Sequence, residues 1–192
     1  MSNSVNAMDM HAEHSDSELI QAVREGDTAA FRGIVQRYES QVAATVIGML
    51  GSGAEAQDVG QEVFIRFYRA IDRFRGEAAV GTYLTRIAMN LSLNALRKRS
   101  RERGRYGGDP EDVRGLAAQG DAVEAHEKVD AIRRAIGTLD PKFRAVVVLR
   151  LVKGHSSDET AKILGVPVGT VLSRLSRAQK ALAEELAEYR EG

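Results

Sequence analysis

Residues 161–179 read AKILGVPVGTVLSRLSRAQ, and their hydroxyl and guanidinium side chains recur at helical spacing. On a wheel advancing about 100° per residue, Thr170, Ser173, Arg174 and Arg177 share one side, and Lys180 joins them. Val171, Leu175, Ala178 and Leu182 gather within about 60° of each other on another side. That narrow apolar stripe must pack on neighbouring helices. The polar side combines small hydroxyl residues, which permit close approach, with arginines. Such arginines can contact phosphate, or bind guanine edges bidentately from a helix lying in the major groove. An ordinary amphipathic helix with a solvated outer face has the same pattern. Leu172 lies off the stripe, either as a flank of the packing surface or as an apolar contact to a partner.

These residues need a short helix and a turn to present them. Ser156-Ser157-Asp158-Glu159 has capping-box spacing and starts a helix that ends at Leu164. Gly165-Val166 makes the turn. Pro167 fits the first position of the next helix, where its missing N–H costs nothing. A short helix, a tight turn and a longer helix form the pattern of a helix-turn-helix.

A second candidate surface is electrostatic. The 192 residues balance at 27 basic and 27 acidic side chains, but unevenly. Residues 1–62 carry three basic and ten acidic groups, net −7, whereas residues 63–106 carry eleven and three, net +8. Residues 107–137 are net −3 and residues 138–192 net +2. The positive block is a candidate polyanion surface, or else a solvated basic helix end. Tyr83, Arg86 and Asn90 within it are spaced by three and four, so they share a helix face.

Other chemistries find little support. There is no cysteine, which excludes disulfides, thiol catalysis and cysteine-bound zinc and suits a reducing compartment. The stretch GMLGSG, residues 48–53, lacks the Lys-Ser/Thr of a phosphate-binding loop. His11 and His14 have metal spacing but no third ligand, and His126 and His155 are isolated. Asp109, Glu111 and Asp112 belong to an acidic linker. No catalytic residue, metal or cofactor is expected. No apolar run reaches the ~18 residues of a membrane span, and the start is no signal peptide.

Helical periodicity runs through most of the chain. The expected elements are a helix from Ser15 to Gly26, a second capped by Asp27 and ended by Gly51, and a third over about 54–74. A loop, Arg75 to Gly81, precedes a fourth helix that ends in RKRSRERGR. GRYGGDPEDVRGLAAQGD then reads as a linker. Helices resume from Val123 to Gly137 and from Asp140-Pro141 to about Gly154. The fold class is all-α, with two helical domains joined by a flexible linker. The expected boundaries are a tail over 1–14, a first domain over 15–103, a linker over 104–122 and a second domain over 123–192.

Two stretches together resemble a known family. AEAQDVGQEVFIRFYRAIDRFRGEAAVGTYLTRIAMNLSLNALRKR, residues 54–99, resembles region 2 of bacterial sigma factors of the extracytoplasmic-function type. Residues 124–186 resemble region 4, most specifically in LGVPVGTVLSRLSRA. The resemblance spans about residues 15–186, in the expected order, with a linker of the expected kind. It implies a dissociable subunit that binds core RNA polymerase and directs promoter recognition, DNA opening and transcription initiation in a bacterial cytoplasm. Asp58, Gln61, Glu62, Phe64 and Arg66 would dock on the clamp helices of the largest polymerase subunit, and the flap of the second-largest subunit would be a further contact. Arg75, Gly76, Glu77, Tyr83, Arg86, Asn90, Arg97, Lys98 and Arg99 would engage the −10 element, with the loop capturing a flipped base. Thr170, Leu172, Ser173, Arg174, Ser176, Arg177 and Lys180 would read the −35 element. Promoter DNA is thus a partner, an anti-sigma factor is expected, and membrane insertion is not.

Some positions depart from the family. Tyr68 and Tyr83 stand where tryptophan is common, Gly60 interrupts the docking helix, Leu172 replaces a frequent basic residue, and Thr160 occupies a site usually filled by a large aliphatic. The alternative reading is a helix-turn-helix regulator that binds duplex DNA without polymerase. In the free protein the two domains are expected to pack together and mask their DNA surfaces, drawn by the acidic first block and the basic segment.

Overall fold

Every regular element among the described residues is helical. The computed structural model describes the backbone of residues 14–106 and 123–187, and their side chains apart from 103–106 and 123–128. The expected tail short of His14, the expected linker beyond residue 106 and the last five residues lie outside the described residues. The first half comprises α1 (Asp16–Arg24), α2 (Thr28–Leu50), α3 (Ala54–Ala70) and α4 (Val80–Tyr106). The second comprises α5 (Val123–Thr138), α6 (Pro141–Val147), α7 (Ser157–Leu164) and α8 (Val168–Glu185).

Local chemistry sets four of the eight described helix starts. The Ser15 hydroxyl accepts the Glu18 N–H at 3.3 Å, and the Glu18 carboxylate accepts the Ser15 N–H at 2.6 Å. Ser156 and Glu159 repeat this reciprocal box before α7, at 3.1 and 2.7 Å. Asp27 accepts from the N–H groups of Ala29 and Ala30, and Asp140 from that of Lys142. Each such cap satisfies a donor that the helix itself cannot, worth about 1 kcal/mol.

Some boundaries differ from expectation. The third helix stops at Ala70 and tightens into a 3-10 turn, Ile71–Arg73, whose end carbonyls are taken by Arg24. The fourth begins at Val80, inside the expected loop, and runs past Gly104 to Tyr106. A helical glycine costs about 1 kcal/mol relative to alanine, which good helix formers around it sustain. Beyond Val147, α6 widens into a π-helical stretch, Val148–Val152. Pro167 sits one position earlier than expected, as the extended cap of α8, and its carbonyl accepts the N–H groups of Thr170 and Val171.

In the first half, Leu19, Ile34, Val46, Met49, Val63, Phe67, Leu84 and Met89 are fully buried. Burying each such side chain contributes roughly 1.5–3 kcal/mol. Two smaller clusters hold the second half: Leu139, Val147 and Ala178, and Val146, Ala161 and Val171.

The halves pack together, and the seam is apolar. Ala145, Val148, Leu149 and Ile163 join the core of the first half. A Cβ on Gly48 would stand 3.0 Å from Val148 Cγ1, so a larger residue there would push against the Val148 side chain. Arg144 donates to the carbonyls of Met49 at 2.7 Å, of Leu139 at 3.2 Å, and of Gly137. These carbonyls lie at the C-terminal ends of α2 and α5, where the helix dipole favours a cation. Among the described residues, no ion pair between the acidic and basic blocks crosses the seam. Arg37–Asp16 and Arg99–Glu55 pair within the first half instead.

Two outcomes follow from these contacts. Gly48→Leu should overpack the seam by about 1–3 kcal/mol and enlarge the radius of gyration in small-angle scattering at unchanged helix content; an unchanged radius would show that this contact does not hold the halves. At Glu159, the hydrogen bond from the Ser156 N–H, followed by that from its hydroxyl, holds the carboxyl below its ordinary pKa. A lowered native pKa gives stability that is present above the ordinary carboxylate value and is lost as pH falls through the native one. The difference in unfolding temperature between the parent and Glu159→Gln should therefore shrink between pH 7 and acid; a constant difference would contradict it.

Candidate nucleic-acid interface

Residues 75–79 link the 3-10 turn to α4, with Gly76 in the left-handed region at φ 72°. They overhang a cavity of about 330 Å³ lined by Ala70, Arg73, Phe74, Arg75, Glu77, Ala78, Tyr83 and Arg86. That volume suits a small planar ligand. The cavity brings together Arg75, Glu77, Tyr83 and Arg86 from the expected −10 set. Phe74 and Tyr83 meet edge-on, with centroids 5.1 Å apart, and both lie against buried Phe67 at 5.7 and 5.9 Å. Tyr83 is half-buried, so it is at once an edge of the core and a wall of the pocket. Arg86 Nε is buried without a hydrogen-bond partner among the described residues. Leaving a buried donor unpaired costs roughly 1–3 kcal/mol, which an acceptor entering the cavity would offset. Asn90 is exposed and stands outside the pocket, one turn further along α4.

The cationic end of α4 lies about 21 Å from Tyr83 at Arg97, given 1.5 Å of rise per residue. That is roughly six nucleotides of stacked strand. Arg97 and Lys98 are exposed and make weak local contacts, to Asn94 at 3.2 Å and to Glu102 at 3.8 Å. Arg99 reaches back to Glu55 at the start of α3. Exposed pairs of this kind are worth about 0–1 kcal/mol and exchange readily for phosphate.

On α3, Asp58 and Gln61 are exposed, and Glu62 pairs with Arg66 at 2.8 Å. Phe64 packs partly against the core. The sequence reading missed Ile65, which is 44% exposed and continues the stripe of Asp58, Gln61 and Glu62. Its signal was the spacing of three and four; the run VFIRFY hid it, because inward and outward apolar residues look alike there.

In α8, Val171 and Ala178 are fully buried, and Leu175 and Leu182 pack beside them as the wheel requires. Ser173, Ser176, Arg177 and Lys180 are exposed, while Thr170 and Arg174 are half-buried. Leu172 points outward at 53% exposure. The first half therefore leaves this face open, contrary to the expected masking. Gly165 turns the chain in the left-handed conformation at φ 65°, and the Val166 N–H bonds to the Ala161 carbonyl at 3.1 Å. Thr160 is fully buried, with its hydroxyl unpartnered among the described residues. The sequence reading also passed over Val129 and Ile132 on α5, both largely exposed and three residues apart.

Among the described residues, no helix is long and apolar enough to cross a membrane, and no group of three metal-ligating side chains occurs. The family model for Sigma-70 region 2 matches residues 34–102, and that for Sigma-70, region 4 matches residues 130–182. The RNA polymerase sigma-H factor of Pseudomonas aeruginosa is 32% identical over 186 residues, covering 92% of this chain and 96% of that one. The ECF RNA polymerase sigma-E factor of Escherichia coli K12 is 35% identical over 182 residues, covering 90% and 95%. Among solved structures, the sigma factor RpoE of Bartonella quintana, in complex with the anti-sigma factor NepR, superposes with a TM-score of 0.67 at 25% identity over 82% of this chain and 96% of that one. CnrH, in complex with the cytosolic domain of CnrY, gives a TM-score of 0.64 at 25% identity over 90% and 97%. Matching both regions in this order, the chain belongs to the sigma-70 family, as an RNA polymerase sigma factor of the extracytoplasmic-function type.

Proposed function

We propose that the chain grips a promoter at two places while a third surface holds core RNA polymerase. Residues 15–103 act on the polymerase and the −10 element, residues 104–122 connect, and residues 123–192 read the −35 element. The observation that carries this division is the open polar face of α8 in the same chain as an aromatic-walled pocket at the start of α4, the helix that ends in the cationic run.

In the first half, the cavity receives a base unstacked from the nontemplate strand. Unstacking costs a few kcal/mol, so a fitted pocket selects one base. Tyr83 and Phe74 supply the ring wall, Arg86 and Glu77 the polar edge, and Arg75 with Gly76 shape the rim. Asn90 meets the neighbouring nucleotide, and Arg97, Lys98 and Arg99 neutralise phosphates upstream. Asp58, Gln61, Glu62, Ile65 and Arg66 dock on the clamp helices of the largest polymerase subunit, with Phe64 supporting them from beneath. Polar and acidic groups suit a basic, dissociable docking site. The flap of the second-largest subunit docks on the second half, where Val129 and Ile132 stand exposed.

In the second half, α8 lies in the major groove. Arg174 and Arg177 contact bases or phosphates, Thr170, Ser173 and Ser176 allow close approach, Leu172 makes an apolar contact, and Lys180 meets the backbone. The protein performs no catalysis of its own and works in the bacterial cytoplasm. The two solved neighbours were each captured with a partner, an anti-sigma factor in the RpoE complex, and this supports an anti-sigma partner here.

Arg174→Ala or Arg177→Ala should weaken −35-dependent transcription by about 1–3 kcal/mol, and Lys180→Ala should lower the salt dependence of binding by roughly one ion. Run-off transcription with purified core enzyme reads both; unchanged promoter activity in the arginine variants would remove that role. A regulator independent of polymerase would instead shift duplex DNA specifically by itself.

A further inference from the structure

We infer that Arg24, in the last turn of α1, is a positioning residue for the loop over the cavity and sets how strictly the pocket discriminates among bases. This rests on the pocket being the receptor for an unpaired −10 base. Arg24 does not line the cavity. Its guanidinium donates from Nε and Nη2 to the Ile71 carbonyl at 3.1 and 2.9 Å, and from Nη2 to the Phe74 carbonyl at 2.5 Å. The Ile71 carbonyl also accepts the Phe74 N–H, at 3.2 Å. One planar fork therefore joins both carbonyls at the point where the chain leaves the 3-10 turn. At Phe74 the backbone becomes extended, with φ −70° and ψ 116°. Its ring is the pocket wall that meets Tyr83, and its carbonyl is the last backbone group before Arg75.

The far end of the loop is fixed differently. There the Tyr83 N–H bonds to the Ala79 carbonyl at 3.0 Å, within the first turn of α4. The loop is thus slung between a helix start and a side chain from an element 47 residues away. The anchor is itself placed by the Ser15 capping box, by the Arg37–Asp16 ion pair at 2.7 Å and by buried Leu19, Ile20 and Val23. Arginine suits the task because its donors form a rigid fork; a lysine ammonium is a single point that reaches one carbonyl well. A loosened Phe74 carbonyl would let the ring and the rim shift together, widening the cavity for wrong bases while leaving −35 reading intact.

The test uses full-length chains assembled with core RNA polymerase on promoters that differ at one −10 position at a time. The readout is the ratio of transcript from the preferred base to that from each other base. Arg24→Ala should lower this ratio about five- to tenfold, and Arg24→Lys about two- to threefold, as expected for losing charge-assisted hydrogen bonds in whole or in part. Val46→Ala, which destabilises the core of the first half from α2, should leave the ratio unchanged, and Glu77→Ala in the pocket should lower it. A ratio that falls in Glu77→Ala but not in Arg24→Ala overturns the inference and leaves the pocket reading standing. If neither variant moves the ratio, the pocket reading falls and the inference falls with it. An equal drop in Val46→Ala reduces Arg24 to a generic structural residue. Should Arg24→Ala fail to fold, Arg24→Lys decides the matter, and an unchanged ratio there overturns it.

Discussion

The loop-bearing side of the first half depends on the burial of one ring. Phe67 is completely enclosed between helices, and its edge-on contact with Phe74 and tilted contact with Tyr83 carry the order of the core outward to the pocket wall. Aromatic pairs of this geometry add about 0.5–1.5 kcal/mol beyond their burial. More importantly, they hold orientation. A pocket keeps its shape only where its walls are still, and Phe74 and Tyr83 are held because a buried neighbour leaves them little room. The same helices fix the distance from that pocket to the cationic end of α4, because a single uninterrupted helix joins them.

The second half solves a different problem. Its core is divided into two small clusters, and part of its apolar surface is covered only by the first half, at Gly48, Val148 and Ile163. Apolar contact of this kind is not screened by salt, unlike the charge attraction that the sequence suggested. The arrangement spares the outer face of α8. A helix-turn-helix can therefore be docked against its neighbour and still show its polar side to a duplex.

Local signals in the sequence were read well because they are local. Both capping boxes, the Asp27 cap, the turn at Gly165 and the apolar stripe of α8 each involve residues a few positions apart. What stayed hidden involves distance. Nothing in GMLGSG announces that Gly48 meets Val148, or that Met49 lends its carbonyl to Arg144. Arg99 reads as one more cation in a basic run, yet it turns back to Glu55. Arg24 looks like an ordinary basic residue at a helix end until the fold brings Ile71 and Phe74 to it. Ile65 and the π-helical stretch after Val147 were missed for a related reason: apolar periodicity tells which residues are apolar, not which of them the tertiary packing leaves uncovered.

The most direct measurement is transcription by this chain and core RNA polymerase from a library of random upstream sequences, followed by sequencing of the templates that yield transcripts. Two short enriched blocks at a constant separation are required, the nearer one lost when Glu77 and Arg86 are replaced and the farther one when Arg174 and Arg177 are. Transcripts from templates sharing a single block, or no transcripts at all from an assembled complex, would contradict the claim that two surfaces of one chain read two stretches of the same DNA.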